Sequence, residues 1–179
     1  MSYERRIIEL VESDELRMRA LYAVRTLALP DWLIAAGFVR NLVWESIFNN
    51  KHCTQDIDVI YFCRTDASQE RDAALEKQLH ELEPSFPWSV KNQARMHIKH
   101  GDSPYQDTLD AMRFWPEKQT SIGVMLNEND AVVVRHCFDL SLQFSGNIDH
   151  NSARSIETFK SRVSSKEWLK TWPTLQVKP

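Results

Sequence analysis

The chain has 179 residues, of which 42% are hydrophobic and 26% charged, with a formal net charge of −3. This composition fits one globular domain and excludes extended disorder, and the scarcity of glycine excludes Gly-rich phosphate loops. A net negative charge argues against a broad basic nucleic-acid surface and leaves room only for a local patch.

In chain order, residues 3–12 and 14–28 read as helices, with Ser13 as the N-cap between them. Leu16, Ala20, Val24 and Leu27 recur at helical spacing and predict one buried face. Residues 33–36 are a short apolar run and predict a buried strand, punctuated by Gly37. Val39, Val43 and Ile47 then predict a helix over about 38–48, closed by a turn at Asn49-Asn50-Lys51. Residues 57–63 read as a central strand. A helix is expected over 66–83, with Leu75, Leu79 and Leu82 on its apolar side. A third strand begins at Trp88 and runs to about residue 93. Short helices are expected over 94–99 and 108–114, and strands 120–126 and 131–136 form a hairpin around Asn127-Glu-Asn-Asp130. A short helix over 138–144 and an amphipathic helical tail over 151–172 complete the chain. The six tryptophans read as packing anchors. The element order predicts a single α+β domain over 1–179 with a mixed sheet and helices packed mainly on one face.

The apolar run at 33–39 is too short to span a bilayer, and the charged start Met1-Ser-Tyr-Glu-Arg-Arg6 lacks the apolar core of a signal peptide. Cys53, Cys63 and Cys137 cannot all pair with one another and contain no CxxC spacing, so the reducing cytoplasm is the expected compartment.

The sharpest chemical feature is Asp56-Ile57-Asp58 at the start of the central strand. Positions i and i+2 of a strand share a face, so both carboxylates project together. A shared divalent cation, Mg²⁺ or Mn²⁺, would relieve their repulsion and leave coordination positions for substrate phosphates. Two solvated aspartates are the plain alternative. The preceding segment adds a strand, a turn at Gly37 and a helix start. Unpaired N–H groups at such a start suit a phosphate, and Arg40 in the first turn supplies a guanidinium. Together these are the parts of a metal-assisted nucleotidyl-transfer site. A second candidate cluster is Asn92-Gln93-Ala94-Arg95-Met96-His97. Arg95 suits a phosphate and His97 an acid–base role near neutral pH, against a reading as capping residues at a strand–helix junction. His97 and His100 lack the further ligands of a zinc site. Tyr105 reads as core or, alternatively, as a stacking surface for a base. Lys160, Arg162, Lys166 and Lys170 read as a solvated face of the tail, with an RNA contact as the weaker alternative.

The segment Ala36-Gly37-Phe38-Val39-Arg40-Asn41, followed by Asp56-Ile57-Asp58, resembles the nucleotidyltransferase superfamily that includes DNA polymerase β. It is most similar there to the CCA-adding and poly(A) polymerase pattern Gly-Gly-x-Val-Arg-Asp with Asp-x-Asp. Trp88-Ser-Val-Lys-Asn-Gln-Ala-Arg-Met-His97, Trp115-Pro-Glu117, Lys166-Glu-Trp168 and Trp172-Pro173 resemble a narrower bacterial nucleotidyltransferase-like group, most of whose members have no assigned reaction. The resemblance implies Mg²⁺ (or Mn²⁺) on Asp56 and Asp58. It implies a nucleoside triphosphate at Gly37, Arg40, Asn41, Asn92 and Arg95, and transfer of a nucleoside monophosphate to a hydroxyl acceptor of unknown identity.

The chain departs from the pattern in several places, and Phe38 stands where a serine can follow the glycine. Ala36 replaces the first glycine, Asn41 replaces an aspartate, and the strand at 88–93 offers Asn92 and Gln93 where active members usually carry a third carboxylate. His97 is then the candidate to accept the acceptor's proton. A catalytically impaired nucleotide- or metal-binding module and a protein-interaction domain are the alternatives to an enzyme.

Overall fold

Local side-chain chemistry accounts for most element boundaries. The computed structural model describes residues 2–51 and 56–179. Its helices are Tyr3–Glu12 (α1), Glu15–Arg25 (α2), Gly37–Phe48 (α3), Gln69–Leu82 (α4), Met96–His100 (α5), Thr108–Met112 (α6), Ile156–Ser165 (α7) and Trp168–Thr171 (α8). Short 3-10 turns lie at Gln93–Arg95, Lys118–Thr120 and Leu140–Phe144. The strands are Leu33–Ala35 (β1), Ile57–Tyr61 (β2), Trp88–Asn92 (β3), Ile122–Leu126 (β4), Val132–His136 (β5), Asn147–Asp149 (β6) and Gln176–Lys178 (β7). The predicted Cys53 lies outside the described residues. No helix among those described is long and apolar enough to cross a membrane.

The main sheet has the order β3-β2-β1-β4-β5. β2 and β3 are parallel, and α4 supplies the crossover that a parallel pair requires. The remaining neighbours are antiparallel. Asn127 shapes the β4–β5 turn, its Oδ1 accepting from the amides of Asn129 (2.9 Å) and Ala131 (3.0 Å). This is the α+β mixed sheet that the sequence predicts. Most helical packing is on one face, where Ile34, Val59, Val90 and Val124 are fully buried with Val11, Leu21, Val39 and Leu79 of α1 to α4. Complete burial of each such side chain contributes about 1.5–3 kcal/mol, which gives that face its helices. A smaller cluster of Leu33, Ala35, Ile60 and Met112 occupies the opposite face.

Several local expectations shift. The N-cap of α2 is Asp14, not Ser13. The Asp14 carboxylate accepts from the Arg17 amide at 3.0 Å, while the Ser13 hydroxyl turns back to the Leu10 carbonyl. Leu16 is 58% exposed, because the buried side of α2 runs through Arg17, Ala20, Leu21 and Val24. Arg17 is buried because its Nε donates to the Phe38 carbonyl at 2.9 Å. Leu82 is likewise 52% exposed. The inner side of α4 is instead completed by Asp72, which accepts from the Tyr61 hydroxyl at 2.7 Å and pairs with Arg95. Asp72 and burial together push the Tyr61 pKa up, burial being the larger cause.

The tail forms a second core. Trp44 of α3 meets Trp168 and Trp172 edge-on, at centroid distances of 6.1 and 4.9 Å, beside Ile148 and Phe159. β6 and β7 pair in parallel over this cluster. Their three-residue lengths left no periodicity to detect.

Candidate functional site

β1 runs directly into α3, and Ala36 makes the junction. Its amide donates to the Ile122 carbonyl at 2.9 Å, and its carbonyl accepts from the Arg40 amide at 2.9 Å. To satisfy both, Ala36 takes φ 54°, ψ −118°, a region that favours glycine. This is the position where the resembled pattern has its first glycine. Strain of this kind costs about 1–3 kcal/mol, and glycine returns part of that through its larger unfolded-state entropy. Ala36→Gly is therefore expected to stabilise the chain by about 1 kcal/mol, a rise in melting temperature of about 2–4 °C by differential scanning calorimetry. A fall would show that the junction is unstrained.

Among the described residues no side chain caps the N-terminus of α3. Its first turn borders a cleft of about 280 Å³ that Ala36, Gly37, Arg40, Asn41, Asp56 and Asp58 line. The β1–β2 register pairs Ala35 with Asp58, which brings the carboxylate beside the helix start. Ile57 and Val59 point into the main core, so Asp58 faces the other way, and Asp56 lines the same cleft. Burial raises the Asp58 pKa, and the neighbouring Asp56 charge raises it further; Lys166, Arg40 and Arg162 pull it down. A Cβ at Gly37 would stand 3.4 Å from Asn41 Nδ2 and 3.5 Å from Arg40, so packing tolerates a side chain there. What it would fill is the space over the helix start.

Arg40 is 5% exposed. Its guanidinium lies over the rings of Trp44 (5.0 Å) and Trp168 (4.5 Å) and donates to Asn41 Oδ1 at 2.9 and 3.2 Å. Burial pulls its pKa down to about 10, which Glu117 and Asp58 partly oppose, so it remains a cation at neutral pH. Asn41 thus orients the arginine.

The opposite wall is the tail. Arg162, Lys166 and Lys170 line the cleft, as does Glu167, which pairs with Lys170. Their helical spacing predicts a solvated face for these cations. Their side chains are indeed accessible, but α7 and α8 return across α3 and bring them to the carboxylates. Arg162 is anchored by the fully buried Glu117, its Nε donating at 2.5 Å. No local signal in the sequence linked residues more than a hundred positions apart.

The second predicted cluster separates from the first. Asn92 is fully buried and turned toward the loop before α4. Its Oδ1 accepts from the amides of Cys63 (3.1 Å) and Ala94 (3.0 Å), and its Nδ2 donates to the carbonyls of Cys63 (2.8 Å) and Asp66 (3.0 Å). Arg95 pairs with Asp72 and borders a separate groove of about 800 Å³ between α4 and α5. His97 lines neither that groove nor the cleft; its ring meets Tyr105 edge-on at 6.0 Å. The physical reason is strand parity. Asp58 lies opposite Ser89 and Ile60 opposite Lys91, so Ser89 and Lys91 share the Asp58 face while Val90 and Asn92 face α4; Gln93 follows in the 3-10 turn. No acid stands on that face of β3.

Mg²⁺ fits this donor set. The described residues contain no group of three or more His, Cys, Asp or Glu side chains that could hold a metal. Asp56 and Asp58 line one cleft and would offer such an ion two hard oxygen donors, with phosphates and water completing its shell.

Comparison with known proteins bears on the family and the fold. A family model described as nucleotidyltransferase matches residues 22–177. A protein whose NMR structure is described as revealing a CCA-adding enzyme head domain is 30% identical, with a TM-score of 0.84, the match covering 97% of this chain and 95% of that one. A chain from a tRNA-processing enzyme complex shares the fold at 12% identity, with a TM-score of 0.56 over 89% of this chain and 43% of that one. No curated protein matches. With its Asp-x-Asp strand beside an uncapped helix start and a family match over most of its length, the chain belongs to the nucleotidyltransferase family.

Proposed function

We propose that the cleft binds a nucleoside triphosphate with Mg²⁺ or Mn²⁺ and transfers the nucleoside monophosphate to a hydroxyl acceptor. The observation that carries this reading is the convergence of Asp56 and Asp58 with the uncapped start of α3, between Arg40 on one side and Arg162 and Lys166 on the other. The family match and the likeness to a CCA-adding head domain support a nucleotide as the donor, and the latter brings RNA into view as one acceptor class.

The metal, when bound, would neutralise phosphate charge and align the α-phosphate. The chain's own groups would do the rest. Helix N–H groups at Gly37 and Phe38 would receive phosphate oxygens. Arg40, Arg162 and Lys166 would balance the remaining charge. The acceptor oxygen would form a bond to the α-phosphorus while the bond from that phosphorus to the bridging oxygen breaks. Pyrophosphate would leave with the electron pair, and the hydroxyl proton would pass to water in the open cleft.

One observation favours a second reading, a module that binds nucleotide without transfer: β3 presents Ser89 and Lys91, and no carboxylate, on the face of Asp58. Two measurements separate the readings. Calorimetry with Mn²⁺ and a non-hydrolysable triphosphate should show binding that requires both components. Incubation with α-labelled triphosphates and cell fractions should then transfer label to a hydroxyl compound. Binding without labelling in any fraction selects the module, and no metal-dependent binding overturns both.

A further inference from the structure

Asp58 belongs to two cavities. Beyond it, on the side away from α8, lies a second hollow of about 570 Å³. We propose that this cavity seats the acceptor, and that the acceptor is a small molecule with a hydroxyl, a planar or apolar body and an anionic group, carboxylate or phosphate. The proposal rests on nucleotidyl transfer at the neighbouring cleft and names the substrate class for it.

Three features of the cavity specify that chemistry. Its volume lies within the range of small-molecule sites. Its inner wall is aromatic and held in place. Tyr105 stacks on Phe114 with centroids 5.4 Å apart, and the Tyr105 hydroxyl donates to Asp102, which also pairs with Arg154. The Arg154 guanidinium lies over Phe114 at 5.4 Å. Tyr105 is itself buried, so an apolar body would pack against the half-buried Phe114, Trp115 and Pro116 of the lining, which this stack holds in place.

The charge is polarised. Asp58 is the single carboxylate in the lining and stands at the end shared with the nucleotide cleft. Lys91 of β3 and Lys99 of α5 stand where the cavity meets the groove between α4 and α5 and line both; both are exposed, and neither has an ion-pair partner among the described residues. Arg154 and Arg162, by contrast, are already paired, with Asp102 and Glu117. An anionic group at the two free lysines and a hydroxyl directed at Asp58 satisfy both ends. The hydroxyl then faces the α-phosphorus, with the bonds made and broken as above. Two free lysines suit one anionic group. A polynucleotide, whose affinity comes from neutralising many phosphates, would need an extended basic track, and the chain is net negative.

The test uses the full chain and defined probes. Phenyllactate carries a hydroxyl, a ring and a carboxylate; phenyl phosphate supplies the phosphate arm; 3-phenyl-1,2-propanediol is the neutral control. Amide chemical shifts in millimolar titrations should show one or both anions binding, with changes at Tyr105, Phe114 and Lys91 and much weaker effects from the diol. The arm that binds more tightly identifies the anion. Lys91→Glu with Lys99→Glu should weaken anion binding by about tenfold or more, because a charge-assisted contact is replaced by repulsion. Both residues are on the surface, so the fold and Mn²⁺–triphosphate binding should persist in this variant. With α-labelled triphosphate, label should enter the small-molecule fraction of a cell extract. Equal binding of the diol, no binding of either anion, anion binding unchanged in the double variant, or label entering RNA alone would each overturn the proposal. Loss of Mn²⁺–triphosphate binding in the wild type would instead remove the reading of the neighbouring cleft, while the anion titration still reports on the cavity.

Discussion

Asp58→Asn should weaken metal-dependent triphosphate binding at least tenfold and, at the same time, make the metal-free protein melt at a higher temperature. The two effects have one cause. Burial and the adjacent Asp56 raise the Asp58 pKa, so the folded chain holds that proton more tightly than the unfolded chain does. Stability is then greatest below the unfolded carboxylate pKa and falls as pH rises toward the higher folded value. Above that folded value the ionised carboxylate is a standing cost to the fold, and asparagine removes it. The melting temperature should rise by about 2–4 °C for each kcal/mol recovered, and the difference should vanish near pH 3, where aspartate is protonated in both states. Function moves the other way. An amide is a neutral and weaker donor to a hard cation, so Mn²⁺–triphosphate affinity should fall at least tenfold and any transfer rate by about a thousandfold, in keeping with several kcal/mol of charge stabilisation lost. Calorimetry and scanning calorimetry on the same sample check both signs. Unchanged binding would remove Asp58 from the metal site, and a lower melting temperature would show that its charge is compensated in the fold.

The second large effect is on stability. Arg40→Ala should cost about 2–4 kcal/mol and lower the melting temperature by about 5–10 °C. Arg40 joins the main core to the tail core. Its guanidinium fills the space between Trp44 and Trp168 and supplies the partner of Asn41 Oδ1. Truncation loses a desolvated cation–π contact of about 2 kcal/mol and leaves a buried acceptor unpaired at about 1–3 kcal/mol; release of the buried charge returns part of that. Arg40→Lys keeps the charge but not the plane or the fork, so it should recover less than half of the loss. If Arg40→Lys melts with the wild type, charge alone holds the tail, and the stacking account fails. Because the tail carries Arg162, Lys166 and Lys170 into the cleft, triphosphate affinity should fall along with stability.

Much of the candidate site's geometry was legible because it is local. A strand, a glycine and a helix start within residues 33–48, and two aspartates two positions apart on a β-rich run, are set by backbone geometry that near neighbours in sequence determine. The same holds for the helix periodicities of α3 and α4 and for the β4–β5 turn at Asn127. The strained Ala36 junction was visible only as a departure from a glycine pattern; its φ of 54° comes from simultaneous bonding to β4 and to α3.

What the sequence left open depends on contacts between distant segments. One position decides the outcome on β3: a strand's side chains alternate, and the register with β2 puts Lys91, not Asn92, on the Asp58 face. That register is a property of the paired strands and of the α4 crossover, not of residues 88–93 themselves. Leu16 and Leu82 turned outward for a similar reason, because the buried Arg17 and Asp72 found hydrogen-bond partners elsewhere in the fold. The tail shows the division most clearly. Residues 156–171 by themselves specify amphipathic helices with basic outer positions, and nothing in them says what those positions face. The cluster of Trp44 with Trp168 and Trp172 folds the tail back over α3, and that packing converts a solvated basic face into one wall of the cleft.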